Sequence, residues 1–113
     1  MLVKGRDPKE IAEALLNRST CNVQCAAVIA DHFGIFSWGI NHAGADGLGE
    51  HAEVHAISRC NRRRLGHSTM YVAARRKRNQ KALCAKPCAA CQHAIRQVKE
   101  VVYRDSGAVW RVL

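Results

Sequence analysis

Proline, long apolar runs and phosphate-loop signatures are what this chain has least of, and each shortage removes a class of protein. Two prolines in 113 residues, 48% of them hydrophobic, exclude a disordered or linker-like chain and point to a folded globule. No stretch approaches the roughly 18 consecutive apolar residues that a membrane-spanning helix requires. The first residues carry charge where a secretory signal would carry its apolar segment, so a cytoplasmic location, or host cytoplasm for a viral protein, is expected. The glycine-rich stretch from Asn41 to Gly49 has neither G-x-G-x-x-G nor Walker spacing, and so has no pattern-based claim on phosphate. There is no internal repeat or low-complexity linker. At 12.5 kDa the chain suffices for one hydrophobic core, and a single domain over residues 1–113 is expected.

What is present reads as alternating helices and strands. Asp7-Pro8-Lys9-Glu10 combines an N-cap, a proline at the first helical position and an early carboxylate, which predicts a helix over about 8–18 with Ile11, Ala14 and Leu15 on its apolar face. The apolar run 25–30 suits a buried strand, Asp31-His32-Phe33-Gly34 a turn, and 35–40 its antiparallel partner. A second helix is expected from Glu50 to about Arg62, a strand over 68–74, and a third helix from Pro87 to about Val98. Strands at 101–103 and 108–112 close the chain. Strand, helix, strand implies a right-handed crossover with parallel strands, hence a mixed sheet flanked by helices.

Two motifs carry chemistry. His51-Ala52-Glu53 offers an imidazole and a carboxylate two positions apart, and Pro87-Cys88-Ala89-Ala90-Cys91 offers two thiols that share a helix face. One His and two Cys leave a fourth tetrahedral position open, as catalytic zinc sites do and structural ones do not. Thiols at a helix start also meet the positive end of its dipole, which favours thiolate. The other four of the six cysteines, Cys21, Cys25, Cys60 and Cys84, are expected to be reduced and incidental, with a second metal site at Cys21 and Cys25 as the alternative.

An H-x-E followed by P-C-x-x-C resembles the signature of zinc nucleobase deaminases. The chain resembles the cytidine/deoxycytidylate deaminase superfamily over roughly residues 24–104. His51-Ala52-Glu53-Val54 with Ala56-Ile57 is similar to the deoxycytidylate version, where Asn commonly stands at the place of His55. Gly39-Ile40-Asn41 resembles the glycine-x-asparagine before that motif. The resemblance implies a three-layer α/β/α sandwich with a mixed β-sheet, and zinc (Zn2+) held by His51, Cys88 and Cys91. It implies Glu53 as the proton shuttle, taking a proton from zinc-activated water and delivering it to the ring nitrogen and then to the departing amine. It places Asn41 and Ala52 at the substrate. The reaction implied is hydrolysis of a cytosine nucleotide or nucleoside, of deoxycytidylate or deoxycytidine type, to the uracil form with release of ammonia. Relatives assemble as dimers to hexamers, so a homo-oligomer is expected.

Other readings use the same residues less completely. His51 and His55 have the spacing of H-E-x-x-H metalloprotease ligands, but the glutamate is displaced by one and both thiols are unused. Cys84, Cys88 and Cys91 resemble an iron–sulfur spacing that ignores His51 and Glu53. A zinc-stabilised binding module, closed by His93, His55 or Cys84, has no use for Glu53. His32, His42, His67 and His93 read as surface or loop residues, Trp38 and Trp110 as sheet-face aromatics, and Arg62-Arg63-Arg64 as a solvated helix end.

Acidic side chains are scarce in one half only. Residues 1–58 hold four basic and seven acidic groups, a net of −3, while residues 59–113 hold fourteen and two, a net of +12. Such asymmetry attracts phosphate. The densest run, Arg75-Arg76-Lys77-Arg78, opens a segment through Lys86 that reads as a strand extension, a turn near Asn79 and a return to Pro87. Placed between a strand and the thiol helix, it suits the rim of the pocket. This makes a polynucleotide deaminase, bound to single-stranded DNA or RNA through Arg75, Arg76, Lys77 and Arg78, the second functional reading.

Overall fold

The structure, a computed structural model, describes residues 7–43 and 49–113. Residues 44–48 of the glycine-rich stretch lie outside them. Asp7 caps the first helix, α1 (Pro8–Leu15), by accepting from the Lys9 N–H at 3.0 Å, and Leu16–Arg18 continue it as a tight 3-10 turn. β1 (Val23–Asp31) and β2 (Gly34–Ile40) form the expected antiparallel pair, followed by a short ribbon of β3 (His42–Ala43) and β4 (Gly49–Glu50). Then come α2 (Ala52–Ser58), β5 (Thr69–Arg76), β6 (Ala82–Leu83), α3 (Ala89–Ala94), β7 (Glu100–Arg104) and β8 (Trp110–Val112).

Both site-bearing helices are shorter than the sequence implies. α2 stops at Ser58 because Asn61 adopts an extended backbone and caps a new 3-10 turn, Arg62–His67, by accepting from the Arg63 N–H at 3.1 Å. Pro87 lies outside α3. Cys88 is its extended N-cap, and Ile95–Gln97 tighten into a 3-10 turn that buries Ile95. Arg64 also departs from the solvated-end reading: its guanidinium forks onto Asp31 at 2.8 and 2.7 Å and lies over the Phe36 ring, 4.2 Å from its centroid.

The main sheet has six strands, in the order β2-β1-β5-β7-β8 with β6 paired to β5. Only β5 and β7 run parallel, as the crossover through α3 requires. Side chains alternate across it, as the strand period of two dictates. Ala26, Val28 and Ala73 pack with Ala12 and Leu16 of the α1 layer. Ala27, Ile29, Met70, Val72 and Ala74 face the other way, against Ala52, Ala56 and Ile57 of α2 and Ile95 after α3. The result is the expected three-layer α/β/α sandwich. β2 meets α2 at two points that seat the helix on the sheet: the Ser37 hydroxyl donates to the Ala56 carbonyl at 2.7 Å, and Gly39 lies so close that a Cβ there would stand 2.5 Å from both Ala52 O and Ala56 N. Among the described residues no helix is long and apolar enough to cross a membrane.

Candidate active site

Two short helices meet end to end over the sheet. His51 is the N-cap of α2 and Cys88 the N-cap of α3, and neither side chain caps its own helix, which leaves both ligating atoms free to face across the gap. His51 Nδ1 lies 2.8 Å from Cys91 Sγ and 3.6 Å from Cys88 Sγ. All three donor atoms fall within 4.8 Å of one another, the metal-capable group among the described residues.

These separations accommodate zinc. With Zn–S of about 2.3 Å and Zn–N of about 2.0 Å, tetrahedral ligands stand roughly 3.5 to 3.8 Å apart, so the Cys88 separation already matches and the Cys91 separation needs to open by under about 1 Å. The helix start does not favour thiolate at Cys91, as the sequence suggested: burial, then the charge of Glu53 and the neighbouring Cys88, outweigh the dipole of this short helix and push its thiol up to about 12.

Glu53, the second residue of α2, is 5% exposed. Burial holds its carboxyl above the ordinary range, against the opposing pull of its own backbone N–H, His51 and Cys91. A carboxyl so placed exchanges its proton closer to neutral pH than an exposed one. It lines an open pocket of about 230 Å³ with His51, Cys88, Asn41 and Ala52. The remaining walls are Val23, Cys25, Ala74, Cys84, Ala85 and Lys86. The last three belong to the segment through Lys86 that the sequence placed at the pocket rim, whereas Val23, Cys25 and Ala74 arrive only through the pairing of β1 with β5, which no local pattern signals. Burial, then the charges of Glu53 and Cys91, raise the Cys25 thiol above the usual thiol range, so it serves as a small uncharged wall.

Asn41 has more to do than contact a ligand. Its Oδ1 accepts from the Ser19 hydroxyl at 2.7 Å and the Cys25 N–H at 2.8 Å, while Nδ2 donates to the Val23 carbonyl at 2.7 Å. One amide hydrogen remains for the pocket. His55 stands apart from the donor cluster: its Nδ1 accepts from the Ile40 N–H at 3.2 Å, and its ring meets that of His42 edge-on. That removes it from the metalloprotease-like pairing with His51. Arg75 is likewise drawn away, its Nε donating to Gln24 Oε1 at 2.7 Å.

Residues 7–104 match the family described as the cytidine and deoxycytidylate deaminase zinc-binding region. A comparison with curated proteins gives no match. Among solved structures the chain is similar to the cytidine deaminase from Burkholderia pseudomallei, at 21% identity and a TM-score of 0.70, over 94% of this chain and 88% of that one. It is similar to the cytidine deaminase from Mycobacterium leprae at 18% identity and 0.60, over 92% and 88%, and to that from Mycobacterium tuberculosis at 14% and 0.55, over 84% and 79%. At such identities the likeness is one of fold.

Proposed function

The chain belongs to the cytidine and deoxycytidylate deaminase family, a family of hydrolytic deaminases with a zinc-binding region, and on that premise we propose that it removes the exocyclic amine of cytosine on a deoxycytidylate- or deoxycytidine-type substrate. The observation that carries the reading is the convergence of His51 Nδ1 and the two thiols beside a buried carboxyl at the wall of an open pocket. Water and the cytosine ring are consumed; the uracil form and ammonia leave. His51, Cys88 and Cys91 hold the zinc, which when bound supplies Lewis-acid activation of water at neutral pH.

The rest is the work of this chain's own groups. Glu53 holds the proton that water gives up, passes it to the ring nitrogen, and then protonates the departing amine. Its burial suits it to both halves of that task, because a carboxyl with a raised pKa both accepts and returns a proton readily. Asn41, braced by three hydrogen bonds, offers its remaining amide hydrogen to the sugar or base, and the Ala52 backbone forms the adjoining wall. Cys25 and Ala74 keep the floor free of charge.

The test is ammonia release from deoxycytidylate, deoxycytidine and cytidine by zinc-loaded protein, beside Glu53→Gln. Loss of a positioned acid–base group costs about 10²- to 10⁴-fold in kcat. Turnover that survives Glu53→Gln within a factor of about three, or no release from any cytosine compound by a protein holding stoichiometric zinc, would overturn the proposal.

A further inference from the structure

The pocket accounts for His51, Glu53, Cys88 and Cys91 but leaves the net +12 of residues 59–113 without a purpose. The run Arg75 to Arg78 looks uniform in sequence, and the sheet divides it. Arg75 pairs with Gln24 and is spent on it, whereas Arg76 pairs with Val23. Arg76 is two residues, roughly 7 Å, beyond Ala74, and strand alternation puts both on the catalytic face of the sheet. Lys77 and Arg78 form the turn, and Lys81 begins the return to β6.

The hairpin is held firmly. The Arg76 N–H donates to Lys81 O at 2.9 Å, the Gln80 N–H to Arg76 O at 2.8 Å, and the Lys77 N–H to Asn22 O at 2.9 Å. Arg76, Lys77, Arg78 and Lys81 are all exposed. The ion pairs among the described residues engage Arg64, Arg104 and Arg111, and no carboxylate there neutralises any of these four cations. Asn22, Val23, Arg76, Lys77 and Arg78 line an open cleft of about 650 Å³. Val23 is also a wall of the catalytic pocket, so the two openings adjoin. Four unpaired cations exceed what one phosphate monoester neutralises and match a run of phosphodiesters.

We propose that the β5–β6 hairpin binds the phosphate backbone of a single-stranded nucleic acid, and that the adjoining pocket thereby also accepts a cytosine presented within a strand. What happens to that cytosine rests on the deaminase reading; the binding does not. The test is fluorescence anisotropy of zinc-loaded full-length protein with a short labelled cytosine-containing oligonucleotide across a salt series. The wild type is compared with Arg76→Ser/Arg78→Ser and with a charge-matched control, Arg96→Ser/Lys99→Ser. Four neutralised phosphates give a slope of log affinity against log salt of about −2.8, and removing two cations from the hairpin makes it shallower by about 1.4. The hairpin variant binds at least about tenfold more weakly while the control changes less than about twofold, and turnover on oligonucleotide relative to deoxycytidine falls by a similar factor.

Equal weakening by both double variants, absence of strand binding, or displacement of the strand by deoxycytidylate as effectively as by unlabelled strand would each overturn the proposal. Hairpin-dependent binding without ammonia release from any cytosine compound leaves the hairpin site standing and sinks the deaminase reading. Turnover of deoxycytidylate without hairpin-dependent binding does the reverse.

Discussion

Gly39 is the point where the strand before the motif touches the helix that carries it, and Gly39→Ala measures how finely that contact sets the site. An added Cβ would stand 2.5 Å from Ala52 O, 2.5 Å from Ala56 N and 2.9 Å from His55 Cβ. Two of these are backbone atoms of the first turns of α2 and cannot rotate away, so restoring ordinary contact moves the helix start by roughly 1 Å. Overpacking of this kind costs about 1–3 kcal/mol in stability. The larger effect falls on turnover. His51 and Glu53 flank Ala52 on the displaced segment, while Cys88 and Cys91 stand on α3, so the shift separates the imidazole and carboxyl from the thiols. A displacement of about 1 Å is worth about 10²-fold in rate, and that is the expected loss of kcat on deoxycytidylate. Steady-state ammonia release and urea unfolding read the two effects. Gly66→Ala is the control, since nothing lies within 4 Å of a Cβ there, and it stays within about 0.5 kcal/mol and full activity. Gly39→Ala with kcat within about threefold of wild type would refute the argument that this close approach positions the site.

Three further outcomes follow from the same geometry. Because burial, Glu53 and Cys88 push the Cys91 thiol up to about 12, zinc binding near pH 7 must release its proton, and affinity from a chelator competition rises at least about tenfold per pH unit; a pH-independent affinity contradicts this. Asp31, held down to about 2 by the Arg64 guanidinium, has a folded pKa below its unfolded value, so its contribution is full above about pH 4 and is lost as pH falls towards 2. The gap in Tm between wild type and Asp31→Asn therefore closes over that window, and a constant gap sinks the assignment. Arg104 is 7% exposed and spans from Glu13 of α1 to the Ala74 carbonyl of β5; Glu13 is half-exposed and is left in water when its partner goes, so Arg104→Ala lowers the urea unfolding free energy by about 1–2 kcal/mol, chiefly by unpairing the buried Ala74 carbonyl, and no loss at all shows the bridge to be peripheral.

The chemistry of this chain was legible because its donors lie within two short segments of fixed spacing. His51 to Glu53 and Cys88 to Cys91 announce a site before any fold is known, and the alternating elements around them announce a layered sheet. Helix ends were less legible. The stop at Ser58 depends on Asn61 choosing to cap the following turn, and the late start of α3 on Cys88 serving as N-cap; both are choices among locally permissible conformations that tertiary contacts decide. Pocket walls were legible only in part: Asn41, Ala52 and the return through Lys86 were expected there, but Val23, Cys25 and Ala74 become neighbours only through the register of β1 against β5.

The same register explains why a run of four basic residues is not a single functional unit. Reading along the sequence, Arg75 and Arg76 are indistinguishable; across the sheet they belong to different layers, one hydrogen-bonded to Gln24 on the α1 side and one beyond Ala74 on the catalytic side. A slip of one residue in the β1–β5 pairing would exchange their roles, turning Arg75 towards the pocket and burying Arg76. The apolar alternation of β5, with Met70, Val72 and Ala74 against the α2 layer and Ala73 against α1, forbids that slip, because it would carry the whole set to the wrong face. The packing of the core thus decides which cation of the run lies on the α2 side of the sheet, in the cleft that adjoins the pocket, and that choice is set by hydrophobic residues several positions away.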